Sequence, residues 1–268
     1  MLSIIITTKN EEKNIVNCIE SINNSQTKIN YEILVIDNFS NDKTSELATQ
    51  YSNVKFINHG NERSSQRNHG IEISRYDNIL YLDADMMLSI NLLDEICEQL
   101  NKNCDALYIP EKILGNSLLN KLRNYERQFY NSTYIDCVRA FKKNVFYKIG
   151  GFDINLVGPE DWDFNNKIID KKYIISTTKN LIFHNEENIT FITYLKKKLY
   201  YSKSMAKYIQ KWGKESKFVS FQLSFFSRFF MIFFINKNYK LIFKNPAYFI
   251  LMYLLKILVG SLYLFRKN

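Results

Sequence analysis

Ile79-Leu80-Tyr81-Leu82-Asp83-Ala84-Asp85 decides how the rest of this chain is read. Four apolar residues in a row predict a buried strand. Two carboxylates closing such a run serve no packing purpose. In open α/β sheets, ligands bind at the carboxyl ends of the strands. Both acids reach one ligand if the chain turns after Asp83, and Met86-Met87-Leu88-Ser89 is the stretch expected to carry that turn. Hard oxygen ligands of this kind suit Mg²⁺ or Mn²⁺ bridging a diphosphate. Taken alone, an Asp-x-Asp is more often a helix N-cap or a surface turn.

Outward from this run, the first 110 residues alternate. Leu2–Thr7, Tyr31–Ile36, Val54–Ile57, Asn78–Leu82 and Ala106–Ile109 read as strands. Glu11–Asn23, Ser45–Tyr51, Arg63–Ser74 and Leu92–Leu100 read as helices. Such repetition predicts an α/β fold, a mostly parallel sheet with helices on both faces. The first two strands end in Thr7-Thr8-Lys9-Asn10 and Asp37-Asn38-Phe39-Ser40, so polar groups gather at the edge that holds Asp83 and Asp85. Residues 111–190 break the rhythm. Ser117–Asn131, Asn144–Ile149 and Pro159–Asp170 are expected helices; Cys137–Phe141, Tyr173–Ser176 and Leu181–Phe183 are expected strands. Gly150-Gly151 reads as a turn. A second unusual cluster opens the third helix, Gly158-Pro159-Glu160-Asp161-Trp162-Asp163. Helix capping accounts for one acid there, less well for three. An Asp at a helix start beside an apolar ring suits a general base.

Four segments, in this order, resemble the family 2 glycosyltransferases of the A-type fold. They are Ile4-Ile5-Ile6-Thr7-Thr8-Lys9-Asn10-Glu11-Glu12, Val35-Ile36-Asp37-Asn38-Phe39-Ser40-Asn41-Asp42, Asp83-Ala84-Asp85, and Gly150-Gly151-Phe152-Asp153 followed by Gly158-Pro159-Glu160-Asp161. The likeness runs from the first strand to about His184. It implies a Rossmann-like, mostly parallel sheet and a nucleotide-diphospho-sugar donor, most simply a UDP-sugar. On this resemblance residues 1–190 form the catalytic domain, with 1–110 binding the donor and 111–190 the acceptor. Thr8 and Glu11 then line the nucleotide pocket, and Asp37 recognises the base. Asn38 stands where a second acid is common. Arg67, of the pair Arg67-Asn68, reaches the nucleotide or its diphosphate. Asp83 faces the ribose, Asp85 holds the divalent cation, and His184 adds a further metal contact; His59 and His69 receive no role. Asp161 corresponds to the catalytic base. Glu160 is its neighbour or binds acceptor hydroxyls, and Trp162 belongs to the acceptor side. One base and one displacement invert the anomeric centre. Arg123, Glu126, Arg127 and Tyr130 lie at helical spacing, with Arg139 soon after. They line the acceptor cleft or form an exposed face with i,i+4 pairs.

Charge divides the chain of 268 residues, whose net charge is +9. Residues 194–217 hold eight Lys and one Glu. Residues 218–268 hold five Lys, two Arg and no acid. Residues 1–193 are correspondingly acidic. The basic C-terminal region, 191–268, therefore has an anionic partner, nucleic acid or membrane. Ile192–Trp212 is expected to be helical, with Lys196, Lys203, Lys207, Lys211 and Lys214 on one stripe. Phe218–Ile235, interrupted by Arg228, and Ala247–Phe265, interrupted by Lys256, approach the ~20 residues that span a bilayer. A central cation disfavours spanning. Helices lying in the interface, their basic groups on anionic headgroups, are expected instead. A transmembrane hairpin and a plain helical subdomain are the other readings. Nucleic acid is excluded because the aromatics form apolar blocks and are not interleaved with the cations.

The four cysteines, Cys18, Cys97, Cys104 and Cys137, show no metal-ligand spacing and suit a reduced compartment. Leu2–Ile6 is too short for a signal peptide. The expectation is an inverting, metal-dependent enzyme at the cytoplasmic membrane face, with a lipid-linked or membrane-presented glycan acceptor. Transfer to a polyprenyl phosphate is the nearest alternative, and a membrane adaptor on the same fold is the non-enzymatic one. A nucleotidyltransferase would show a Gly-rich phosphate loop near the N-terminus, which this sequence lacks.

Overall fold

In the computed structural model, which describes residues 1–102 and 104–265, the apolar run Leu2–Thr8 is strand β1 and all seven of its residues are buried. The elements that follow are α1 (Ile15–Asn23), β2 (Tyr31–Asp37), α2 (Thr44–Ala48), β3 (Val54–Asn58), α3 (Arg63–Ile73), β4 (Asn78–Asp83), β5 (Met86–Leu88), α4 (Leu92–Asn101), β6 (Ala106–Tyr108) and β7 (Glu111–Leu114). Next come α5 (Leu118–Gln128), β8 (Val138–Lys142), α6 (Lys143–Ile149), α7 (Glu160–Asp170), β9 (Ile175–Thr177) and β10 (Ile182–Asn185). The remaining helices are α8 (Phe191–Tyr201), α9 (Met205–Trp212), α10 (Lys217–Leu223), α11 (Phe225–Phe229), α12 (Tyr239–Lys244) and α13 (Pro246–Phe265).

Burial on both faces explains why β1, β2 and β4 carry unbroken apolar runs. Side chains alternate across the sheet. Ile4, Ile6, Val35, Leu80 and Leu82 meet α1 and α4 on one face. Ile5, Leu34, Ile36, Ile79 and Tyr81 meet α3, α6 and α7 on the other. The main sheet runs β3-β2-β1-β4-β8-β6-β9. Its first four strands are parallel, and β8 runs antiparallel to both β4 and β6. This is the expected α/β architecture, with the carboxyl ends of β1, β2 and β4 at one edge.

The turn after Asp83 is not at Met86–Ser89. It is made by Ala84 and Asp85 themselves. Met86 and Leu88 are apolar and buried because they belong to β5, which pairs with β10. A small second sheet, β5-β10-β7, thus stands over the edge of the first. Neither β5 nor β7 is expected from the sequence, because three or four residues are too few to show a period.

The C-terminal expectations need correction. Ile192–Trp212 is not one helix. It breaks between α8 and α9, where Ser202 Oγ donates to the Leu199 carbonyl at 2.8 Å and Ser204 Oγ accepts from the Val157 amide at 3.1 Å. The lysine stripe is broken with it; Lys211 turns onto Asp153 and Asp163, at 2.6 and 2.8 Å. Phe218–Ile235 is not one helix either. Ser224 Oγ caps α11 by accepting from the Ser227 amide at 3.1 Å, which ends α10 and restarts the chain. Nor do Arg228 and Lys256 face outward. The Lys256 ammonium is 3.5 Å from Glu126 and donates to the Arg228 carbonyl at 2.8 Å. Arg228 donates to Tyr130 Oη at 3.2 Å. A buried cation needs a partner, and α5 supplies one. Hence α13 lies across α5, where Met252, Ile232 and Phe233 share a core with Leu122, Tyr125 and Phe129. Among the described residues no single helix is long and apolar enough to cross a membrane; Ile235–Lys244 and Pro246–Gly260 qualify only together, bent by 114°.

Gly158, with φ +103°, leads into α7 where the chain passes under α8. A Cβ there would lie 2.6 Å from Tyr201 Cα. Gly158→Ala is expected to lower stability by about 2 kcal/mol or more, because strained backbone and overpacking add. Urea unfolding followed by circular dichroism checks this; an unchanged midpoint would refute the close approach.

Candidate active site

Strand register assembles the first half of the site. Thr8 pairs with Asp37 and Thr7 with Asp83, so the ends of β1, β2 and β4 finish level. Thr7 Oγ1 donates to Asp83 Oδ1 at 3.3 Å. Thr8 Oγ1 donates to Asp37 Oδ1 at 2.6 Å. The amide and hydroxyl of Ser40 also donate to Asp37, each at 2.6 Å. Asp37 is thus buried with both oxygens engaged, and it stands outside the lining of the adjoining cleft. Thr8 and Glu11 do line that cleft. Burial, with help from Asp85 and Asp83, pushes the Glu11 carboxyl up to about 7 against its bond from Asn14.

The second sheet brings the metal-type ligands together. β10 pairs His184 with Met86, and the Asn185 amide donates to the Asp85 carbonyl at 2.8 Å. His184 Nε2 then lies 3.0 Å from Asp85 Oδ2. Burial opposes its charge, but Asp85 and Glu111 push the imidazole up to about 9. Asp85 Oδ1 is buried and has no hydrogen-bond partner. Among the described residues, no group of three or more His, Cys, Asp or Glu forms a cation cage. One orphaned carboxylate oxygen beside an imidazole fits a different arrangement. Mg²⁺ and Mn²⁺ are commonly held by one or two carboxylates while phosphate oxygens and water supply the rest. Asp85 would be the principal ligand, with His184 beside it.

Arg67 ties this edge to α7. Residues 79, 81 and 83 share one face of β4, so Tyr81 and Asp83 both point towards α3. The guanidinium of Arg67, wholly buried, lies 4.6 Å from the Tyr81 ring centroid. It donates to Asp83 Oδ1 at 2.9 Å and to Asp161 Oδ1 at 2.7 Å. Tyr81 Oη, which donates to the Val138 carbonyl at 2.6 Å, lies 3.2 Å from the same Asp161 oxygen. Against burial, Arg67, then Arg139 and Arg63, hold the Asp83 carboxyl well below the usual range. Glu160 is turned away from solvent; it pairs with Arg63 at 3.0 Å, and burial raises its pKa. Trp162 lines the cleft by its ring edge, and its Nε1 donates to the Ile135 carbonyl at 2.9 Å.

The far wall comes from α5, β7, β8 and α8. Arg127 pairs with Asp136 at 2.9 Å and Glu111 at 3.3 Å, and Arg139 reaches Glu111 at 3.1 Å. Arg123 pairs with Glu186, as does Lys197 at 3.6 Å. Arg123, Arg127, Arg139, Glu111, Glu186 and Lys197 line the cleft, so the helix of 118–128 is no plain solvated face. The cavity, about 490 Å³, also takes Thr8, Glu11, Asp83, Asp85, Asp161 and His184 into its lining. Asp85 and Asp161 therefore share a cleft. Sequence reasoning missed Tyr81, Glu111, Glu186, Lys198 and Arg228. The one available signal was the two-residue spacing of Tyr81 from Asp83; the other residues come from segments whose relative placement is tertiary.

Comparison with known proteins agrees with this architecture. The family model described as glycosyl transferase family 2 matches residues 3–159. A glycosyltransferase of Haemophilus influenzae is 28% identical over 187 residues, 63% of this chain and 62% of that protein. S. aureus TarS 1-349, solved in complex with UDP-GlcNAc, superimposes with a TM-score of 0.59 at 20% identity, covering 72% of this chain and 60% of that one. The mannosyltransferase PcManGT from Pyrobaculum calidifontis, solved with GDP-Man and Mn²⁺, gives 0.59 at 18% identity over 78% of this chain and 64% of that one. The chain thus spans less than two thirds of the length of each of these three. The chain belongs to glycosyl transferase family 2, and it has the A-type fold.

Proposed function

We propose that the chain transfers a sugar from a nucleotide-diphospho-sugar, a UDP-sugar in the simplest case, to a hydroxyl of a lipid-linked or membrane-presented glycan, with inversion. One observation carries the reading: the carboxylates of Asp85 and Asp161, 76 positions apart in sequence, border the same cleft. In this reading Thr8 and Glu11 line the donor side, and Asp37 braces the Thr8 turn. Asp83 takes the ribose and Arg67 positions Asp83 and Asp161. A divalent cation held at Asp85, with His184 beside it, supplies positive charge to the departing diphosphate.

Asp161 has one oxygen fixed by Arg67, with Tyr81 Oη beside it. Its second oxygen is the one that takes the acceptor proton. The acceptor oxygen bonds to C1 of the sugar as the bond from C1 to the diphosphate oxygen breaks. Arg127, Arg139 and Trp162 belong to the acceptor wall, and Glu160 supports the start of α7 through Arg63. The polyprenyl-phosphate reading differs at one point. A phosphate acceptor is already anionic and needs no base, so it gives Asp161 no proton to take.

The C-terminal helices support a reading of membrane association. Phe225, Phe226, Phe234 and Phe243 are 66, 62, 69 and 80% exposed. Ile250, Leu254 and Ile257 continue the apolar surface along α13. An apolar surface of this extent on a basic region suits helices lying in a bilayer interface on the cytoplasmic side. Each basic residue near an anionic surface adds about 1 kcal/mol.

Three experiments test these assignments. Asp161→Asn is expected to bind donor as the wild type does and to lose about 10²–10⁴-fold in transfer, the usual value of a general base. Undiminished transfer would favour the phosphate acceptor and remove Asp161 as base. Asp85→Asn, or chelation of the wild type, should weaken binding of nucleotide diphosphate by at least about tenfold, roughly one charge-assisted contact. Calorimetric titration with UDP or GDP and Mn²⁺ measures this, and equal affinity with and without cation argues against metal at Asp85. Finally, the protein should sediment with phosphatidylglycerol vesicles in a salt-sensitive way, and F225S/F226S should release it. Failure to sediment sinks the peripheral reading.

A further inference from the structure

Most cations in the cleft have a carboxylate. Arg67, Arg127 and Arg139 are paired, as are Arg63, Arg123 and Lys197. Two are not. Lys198 lines the cleft, and among the described residues its ammonium has no ion-pair partner; the Tyr194 ring centroid is 5.5 Å away. Arg228 also lines the cleft. Its Nη2 donates to Tyr130 Oη at 3.2 Å, while Nη1 is buried and, among the described residues, without a hydrogen-bond partner. These two cations and Arg123 crowd one another. Burial first, then Arg123, Arg228 and Lys197, bring the Lys198 ammonium down to about 8, although Glu126 pulls the other way. A cluster of like charges with unused donors is relieved by an anion rich in oxygen acceptors.

The position of Arg228 says more. It lies in α11, between Phe225, Phe226 and Phe230, which are 66, 62 and 45% exposed. One short helix thus puts its cation into the cleft and its aromatic rings on the outer surface. The neighbours of Lys198 are Glu126, Arg123, Arg228 and Lys197. Those of Asp161 are Arg67 and Tyr81. The two sets share no residue, so an anion held at Lys198 is distinct from the atom that reacts beside Asp161.

We propose that Lys198 and Arg228, with Arg123 behind them, bind the phosphate or diphosphate of an acceptor's lipid carrier, whose hydrocarbon runs out over the aromatic face of α11. This rests on the reading of the chain as a transferase with a lipid-linked acceptor. It adds the residues that would recognise the carrier, and a charge requirement on the acceptor remote from the reacting hydroxyl.

The test uses the full chain without nucleotide or divalent cation, titrated with farnesyl diphosphate, inorganic diphosphate and farnesol. Farnesyl diphosphate should bind, UDP should not displace it, and both inorganic diphosphate and farnesol should bind more weakly. Lys198→Gln and Arg228→Gln should each weaken it about tenfold or more, the loss of one charge-assisted contact, and Lys198→Arg should restore it. Lys198 is only partly buried and carries no ion pair among the described residues, so its variant is expected to keep the fold even if that of Arg228 does not. Affinity for UDP with Mn²⁺ should stay within about twofold, which separates this site from the donor site. Equal affinity for inorganic and farnesyl diphosphate overturns the lipid source. Unchanged affinity in Lys198→Gln, or loss of UDP binding in it, overturns the site. Absence of UDP binding in the wild type overturns the transferase reading instead.

Discussion

A buried guanidinium holds this molecule's chemistry together. Arg67 comes from α3, Asp83 from β4 and Asp161 from α7, and the two acids are joined only through that cation. Burying a lone arginine would be costly, and an ion pair inside a protein roughly breaks even at best. Its value here is geometric. A planar fork that donates to two carboxylates at once fixes their separation and their planes. The Tyr81 ring beneath the guanidinium and its hydroxyl beside Asp161 add a second constraint from the same strand. Removing either acid would leave a buried charge short of a partner, so the ends of the central strands and the start of α7 are coupled in stability as well as in space.

The C-terminal helices complete the cleft. Arg228 lines it directly, and Lys256 pairs with Glu126 and Tyr130 of its lining. Their cations point inward because Glu126 of α5 and the Tyr130 phenol just beyond that helix compensate them. Their aromatic and aliphatic side chains are left outside. That division gives one set of helices a charged inner face and an apolar outer face. It also explains why a central basic residue in each apolar run is compatible with a surface helix and not with a simple span.

Legibility in the sequence follows locality. β1, β2 and β4 were readable because burial on both faces demands an uninterrupted apolar run, and α1 and α4 because one face repeats. β5 and β7 were not, since three or four residues carry no period and their pairing with β10 is long-range. The single helices expected over Ile192–Trp212 and Phe218–Ile235 failed for a local reason. Ser204 and Ser224 spend their hydroxyls on backbone amides, at Val157 and Ser227, and hydropathy does not register that choice.

The same distinction applies to the site. By itself the sequence determined which residues end the central strands, and so that Thr8, Asp37 and Asp83 would lie along one edge; strand direction and period leave no alternative. It also determined the family, through four motifs in order. Only the tertiary structure decided that Asp161 meets Asp83 through Arg67, that Asp37 is enclosed by Thr8 and Ser40, and that Arg228 and Lys256 turn inward. Each of these depends on which charge lies opposite another in space, and a Coulombic partner has no fixed separation along the chain.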